Sequence, residues 1–210
     1  TSDAITSRLT VPEGFVIRVF ADKVPGARVL ALDPRGRILV SQTGEGKIAL
    51  FEDTNSDGVA DARKTLAENL NKPHGLAFDC PIDERNLPCF LYVAERGRLG
   101  RYLYDAEKGV LSSYTKLADL ESAVTDRHFT RTLLFLPSPD EHILLVSVGS
   151  SCNTCHEGGK MPGKIMAYDT KAGTVTGYAR GLRNAVFLTL DPVSGKVVAT
   201  EMGRDGLGDE

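Results

Sequence analysis

The chain has 210 residues, a formal net charge of −3 and a sequence pI near 5.8. So mild a charge, with Lys and Arg scattered rather than clustered, excludes nucleic acid or an anionic membrane surface as the expected partner. Hydrophobic residues make up 41% of the sequence, enough for a buried core, yet no apolar stretch reaches the ~18 residues that would span a bilayer. No membrane span is expected. The sequence begins at Thr1 with no Met and no signal peptide, as either a processed mature chain or a trimmed one would.

In chain order, the first apolar run is residues 14–21, read as a lone strand that would complete the last blade of a closed ring. After it one phrase recurs: an apolar strand, a turn rich in Asp, Pro or Gly, and a second apolar strand. It occurs at 29–41, at 75–94 with an insertion bounded by Cys80 and Cys89, at 132–147 and at 186–200. Two more strand-like runs follow each of the first three copies, at 47–52 and 63–67, at 99–104 and 112–117, and at 164–169 and 174–179. The third run of each unit carries an aromatic residue near an acidic one (Phe51, Tyr104, Tyr168), suiting an outer position before a turn. Residues 117–124 are the one stretch expected to make a short turn of helix.

Four short strands per unit, repeated at roughly 45 to 55 residues, is the pattern of a propeller blade. The expected fold is therefore all-β: a single β-propeller domain over residues 1–210, with blades at 29–67, 75–117 and 132–179 and a partial blade at 186–210. About three and a half blades do not close a ring of usual size. The chain is expected to be an N-terminal fragment, or to share its propeller with a second chain.

Four cysteines form two close pairs, Cys80 with Cys89 and Cys152 with Cys155. Local, even pairing suits disulfides and an oxidising compartment, periplasmic or secreted; four reduced thiols in a cytosolic protein is the alternative. Cys152-Asn-Thr-Cys155-His156 also fits covalent attachment of haem c or a metal pair, although it falls in a loop between strands. Asp53, Asn55 and Asp57, with Gly58 and then Asp61, resemble a calcium loop of the D-x-N-x-D-G type. Lys64 stands at the twelfth position in place of a bidentate Glu, and Asp, Asn and Gly also make ordinary turns.

Three polar groups immediately precede a first strand: Lys72-Pro-His74-Gly75, Asp126-Arg-His128-Phe-Thr-Arg131 and Gly181-Leu-Arg183-Asn184. In a propeller these loops gather at one end of the central channel. A histidine there can act as general base toward a hydroxyl. Arg131 and Arg183 can hold carboxylates in bidentate fashion.

The sequence resembles the soluble glucose/sorbosone dehydrogenase family, closer to its sorbosone-dehydrogenase-like branch. The resemblance runs from about residue 12 to 210. It is carried by Pro73 to Phe78, His128 to Phe135, Val146 to Cys155, Gly181 to Asn184 and Glu201 to Glu210. It implies a six-bladed propeller that binds pyrroloquinoline quinone (PQQ) and Ca2+ and oxidises sugars, polyols or related aldehydes in the periplasm. It implies that His128 is the catalytic base and that Arg183 and Asn184 flank the quinone. The backbone carbonyls of Gly203 and Arg204 would bind the cofactor calcium. His74 stands where the glucose dehydrogenases carry a Gln near the quinone, and the family's other quinone-binding cations belong to later blades. A soluble electron acceptor such as a cytochrome follows from the same likeness. Two other readings compete: a non-catalytic propeller presenting its face to a protein or glycan, and a metal-dependent lactonase, which would require Glu, Asn and Asp ligands where this sequence has His and Arg.

Overall fold

The continuous apolar runs at 38–42, 47–52, 89–94 and 143–148 become strands with neighbours to bury against on both faces, whereas residues 27–32 keep one face open, with Leu30 and Leu32 exposed. In a strand, successive side chains point to opposite sides. A run that is apolar at every position therefore belongs between two layers. The computed structural model, which describes residues 8–81, 88–120, 128–158 and 161–207, shows this alternation in three successive sheets. The first sheet comprises β1 (Ala27–Leu32), β2 (Ile38–Gln42), β3 (Lys47–Glu52) and β4 (Ala62–Ala67). The second comprises β5 (Gly75–Asp79), β6 (Cys89–Ala94), β7 (Arg98–Asp105) and β8 (Val110–Asp119). The third comprises β9 (Leu133–Phe135), β10 (Ile143–Val148), β11 (Lys164–Asp169) and β12 (Thr174–Arg180). A pair, β13 (Ala185–Leu190) and β14 (Val197–Glu201), follows. All are antiparallel, each strand hydrogen-bonded to the next in sequence.

The first strands lie side by side, β1 next to β5, β5 next to β9 and β9 next to β13. Between the first two sheets Leu39, Leu50, Leu76, Leu91, Val93 and Tyr104 are buried together. On the other face of the second sheet Tyr92, Ala94 and Leu99 meet Leu133, Leu144 and Val146 of the third. Leu145 and Ile165 turn the opposite way, toward Ala185 and Leu188 of the last pair. Strands β6 and β10 thus divide their consecutive apolar residues between two cores.

A buried polar network also joins the first two sheets. The Tyr104 hydroxyl donates to Asp33 Oδ2 at 2.6 Å, and Arg37 bonds Asp33, Glu52, the Tyr104 oxygen and the Ala106 carbonyl. Burial opposes ionisation of Asp33, but the hydrogen bonds from Tyr104 and Arg37 win and hold its pKa below the ordinary value.

Three expectations are corrected. Residues 14–21 form no strand. Phe20 and Ala21 pack on Val40, Ala49 and Phe51 at the outer face of the first sheet, but among the described residues the segment's backbone bonds are a local turn, Phe15 N–H to the Pro12 carbonyl, and one contact from the Ala60 N–H to the Phe20 carbonyl. A strand needs a ladder partner, and among the described residues this segment meets no free sheet edge. Residues 117–119 are not helical but extend β8, where Asp119 and Ala118 pair with Arg98 and Leu99. Residues 121–124 lie outside the described residues. The third strands are interior, not outer, because β4, β8 and β12 take the edges, and Phe51, Tyr104 and Tyr168 fill the space between layers. Among the described residues no helix is long and apolar enough to cross a membrane.

Candidate functional site

Antiparallel order dictates where the polar loops go. The start of each first strand and the end of each second strand share one end of the sheets, as the pairings of Ala27 with Gln42 and Leu133 with Val146 show. The segments before β9 and β13 and those after β10 and β14 therefore converge. Arg28, His128, Thr130, Arg183, Asn184 and Asp205 line one open cavity of about 370 Å³ at that end.

His128 is held there by its backbone and by its ring. Its φ of +49° is uncommon for a residue with a side chain. Its Nδ1 lies 3.0 Å from the Ser150 carbonyl and 2.9 Å from the Ser150 Oγ. A carbonyl only accepts, and the Ser150 hydroxyl proton is already donated to the Cys152 carbonyl at 2.7 Å. Nδ1 must therefore carry the proton in the neutral ring, which puts the lone pair on Nε2. Gly149 makes this approach feasible: a Cβ there would lie 2.6 Å from Asn184 Oδ1 and 2.6 Å from the His128 Cβ.

Asn184 is buried, and its Oδ1 accepts from Thr130 at 2.8 Å. The Glu201 carboxylate accepts the backbone N–H groups of Arg183 at 2.5 Å and Asn184 at 3.0 Å, so the last residue of β14 fixes the segment before β13. The Arg183 guanidinium spends its donors inside the protein, on the Asn153 carbonyl and Oδ1, the Met202 carbonyl and Asp205 Oδ2. Met202 N–H bonds the Asn184 carbonyl. The following Gly203 and Arg204 are exposed, and their carbonyls accept no hydrogen bond from the described residues.

Arg131 and His74 lie behind the cavity wall. Arg131 is 1% exposed and donates to the His128 and Thr130 carbonyls. Burial, with the charge of Arg96, lowers its pKa to about 10, so it stays protonated at neutral pH. His74 is fully buried near Phe187, and neither ring nitrogen has a hydrogen-bond partner among the described residues. Burial first, then the charges of Arg28 and Arg131, lower its pKa to about 4; the Arg131 backbone opposes this without reaching good hydrogen-bond geometry. Gly75 lets β5 touch β9 here, since a Cβ would sit 2.2 Å from the Arg131 carbonyl.

The remaining candidates fall elsewhere. Asp53, Asn55, Asp57 and Asp61 occupy the β3–β4 turn, at the opposite end of the first sheet from Arg28. Their oxygens accept from the turn itself, Asp53 from Asp57 and Gly58 N–H and Asp61 from Thr54. No group of three His, Cys, Asp or Glu placed to hold a metal occurs among the described residues. Cys80–Cys89 and Cys152–Cys155 are disulfides, so the C-x-x-C-H sulfurs are not available to haem. Asp126 lies outside the described residues. Sequence reasoning missed Arg28, Ser150, Asn153, Glu201 and Asp205 as site residues; the last four lie in the motifs quoted for the resemblance, but only contacts show what they hold.

A family model described as TrAA12-like matches residues 9–210. Two structures of Trichoderma reesei Carbohydrate-Active Enzymes Family AA12, an iodide and a calcium structure, superpose with TM-scores of 0.78 and 0.77 at 23% identity, over 93% of this chain and 50% of theirs. The holo form of the pyranose dehydrogenase PQQ domain from Coprinopsis cinerea follows, with a TM-score of 0.71 and 20% identity over 89% of this chain and 46% of that one. At these identities the likeness shows a shared fold. An uncharacterized protein of Borreliella burgdorferi is 25% identical over 99% of this chain and 53% of its own length. The chain spans about half the length of these relatives.

Proposed function

Since the chain belongs to the TrAA12-like family, we propose that it forms part of a PQQ-dependent dehydrogenase that oxidises a sugar, polyol or related aldehyde on a six-bladed β-propeller. One observation carries the reading: His128, with its proton fixed on Nδ1, shares a cavity with Asn184 and two arginines. The disulfides fit a periplasmic or secreted protein, and a soluble acceptor such as a cytochrome would take the electrons.

The residues fit the cofactor. PQQ is a planar, polyanionic quinone, and this end of the sheets offers Arg28 and Asn184 on the cavity wall, backed by the buried Arg131 and by His74, whose ring nitrogens have no partner among the described residues. The bare carbonyls of Gly203 and Arg204 are hard oxygen donors of the kind calcium takes. When bound, PQQ supplies the two-electron acceptor for the hydride and calcium the Lewis acid that polarises it.

The protein's own work is proton management and orientation. His128 Nε2 accepts the hydroxyl proton of the substrate as the carbon–hydrogen bond of the same carbon breaks. Ser150 stabilises the resulting imidazolium through Nδ1. Glu201 and Thr130 keep Asn184 in place, and the Arg183–Asp205 pair ties the 202–205 loop to the Cys152–Cys155 loop through Asn153.

An absorbance series tests the proposal: protein alone, with calcium and PQQ, then with aldoses, sorbosone and polyols. The expected result is a quinone band that shifts on binding and bleaches with at least one substrate. Absence of any binding by the full-length protein would refute the dehydrogenase.

A further inference from the structure

We infer that the Cys152–Cys155 disulfide is a site of thiol–disulfide exchange, open to a dithiol, and that its oxidation state governs how firmly the protein holds the His128 ring. The inference rests on the dehydrogenase reading only where it concerns turnover.

The two disulfides differ in access. Cys89 is half-buried in β6 and packs against the core between the first two sheets. Cys155 is exposed and, rather than Cys152, lines an open cavity of about 580 Å³ beside the site. Lys164 and Arg180 line the same cavity, and their positive charges draw in an anionic thiolate. Access of the attacking thiolate to a sulfur sets the rate of exchange.

The loop that this bond closes also carries the site. His128 Nδ1 meets the carbonyl and hydroxyl of Ser150, whose own proton goes to the Cys152 carbonyl. Asn153, inside the closed loop, holds Arg183 and Asp205. Cys155 Sγ lies 3.4 Å from Glu157 Oε1, the oxygen that accepts the Ser151 N–H at 2.6 Å. A disulfide sulfur has no proton to give, so this acceptor serves only the reduced thiol. Reduction thus cuts the tie around Asn153 and sets a new donor on the carboxylate that anchors Ser151, the neighbour of Ser150.

The exchange is two substitutions. A thiolate of the dithiol attacks Cys155 Sγ, forms a mixed disulfide and expels the Cys152 thiolate. The second thiolate of the dithiol then attacks its own sulfur in that mixed disulfide and releases Cys155. The dithiol ends as a disulfide, and its two electrons and two protons pass to Cys152 and Cys155.

Dithiothreitol applied to the full-length protein tests this. Iodoacetamide trapping and peptide mapping should find Cys152 and Cys155 reduced at concentrations that leave Cys80–Cys89 intact; the reverse order overturns the inference. Without cofactor, nitrogen NMR of the His128 ring should show the Nδ1–H form in the oxidised protein, mixed tautomers after reduction, and the first form again after reoxidation. Turnover measured after removal of the reductant should fall about ten-fold, the worth of one hydrogen bond, and recover on reoxidation. The double variant Cys152→Ser/Cys155→Ser should match the reduced protein in both readouts and ignore dithiothreitol. A response that persists in it belongs to Cys80–Cys89 and refutes the inference. Identical His128 signals in the oxidised and reduced protein, or unchanged turnover in an active enzyme, do the same. A protein whose His128 signals switch but which oxidises no sugar keeps the exchange site and loses the dehydrogenase reading.

Discussion

Ser150 meets His128 Nδ1 with two acceptors, its carbonyl at 3.0 Å and its hydroxyl oxygen at 2.9 Å. That double contact sets the tautomer and predicts a graded response. His128→Ala should cut turnover by about 10²–10⁴-fold, the usual worth of a general base, with an unchanged circular dichroism spectrum. Ser150→Ala removes one acceptor and leaves the carbonyl, so its loss should stay under about ten-fold. Steady-state dye reduction checks both, and equal losses would refute the proposed division of labour.

Gly149 faces the same contact from behind. A methyl group there collides with Asn184 Oδ1 and with the Cβ and carbonyl of His128. Gly149→Ala should therefore lower kcat strongly at a stability cost of about 1–3 kcal/mol, as overpacking does. Urea denaturation alongside kinetics separates the two effects.

His74 predicts a pH dependence of stability. Its pKa falls from 6.5 to about 4 on folding, so the unfolded chain binds the extra proton. Stability is then full above about pH 6.5 and is lost as pH falls toward 4, by roughly 3 kcal/mol across that window. Urea midpoints at pH 7.5 and 5 should differ accordingly. His74→Gln should flatten that slope.

Asp33 acts in a lower window. Its depressed pKa contributes stability above the ordinary carboxylate range that disappears as pH falls through the folded value. Asp33→Asn should remove this slope and destabilise the protein by about 1–3 kcal/mol, because the half-buried Arg37 loses one of its two carboxylate partners and keeps Glu52. Tyr104→Phe should cost about 1–3 kcal/mol. Chemical denaturation of both variants from pH 3 to 7 is the check.

The paired cysteines predict no free thiol. Titration of the oxidised, denatured protein with a thiol reagent should find none, and its spectrum should lack a Soret band. The Cys152–Cys155 bond closes too short a loop for its reduction to cost more than about 2 kcal/mol of stability. It should loosen Ser150 and Asn153, read as a fall in kcat.

The sequence by itself determined the strands and their grouping. Their apolar runs, broken by Asp, Pro and Gly turns, are local signals, and antiparallel neighbours joined by short turns pair in chain order. The same order was enough to bring His128 and Asn184 to one end, because the start of a strand is a place in the sheet. Residues 14–21 form no ladder among the described residues for the complementary reason: β structure is a property of two segments, and an apolar run cannot name the partner. Only the tertiary structure decided which cations are free. Arg28 and Arg183 are chemically identical in the sequence, yet two loops spend the donors of one and a bulge aims the other at open space. Nor could any motif show that Ser150 fixes a proton on His128 or that Glu201 anchors Asn184. Such roles arise from contacts between residues up to 22 apart in the chain, and they exist only once the sheets have packed.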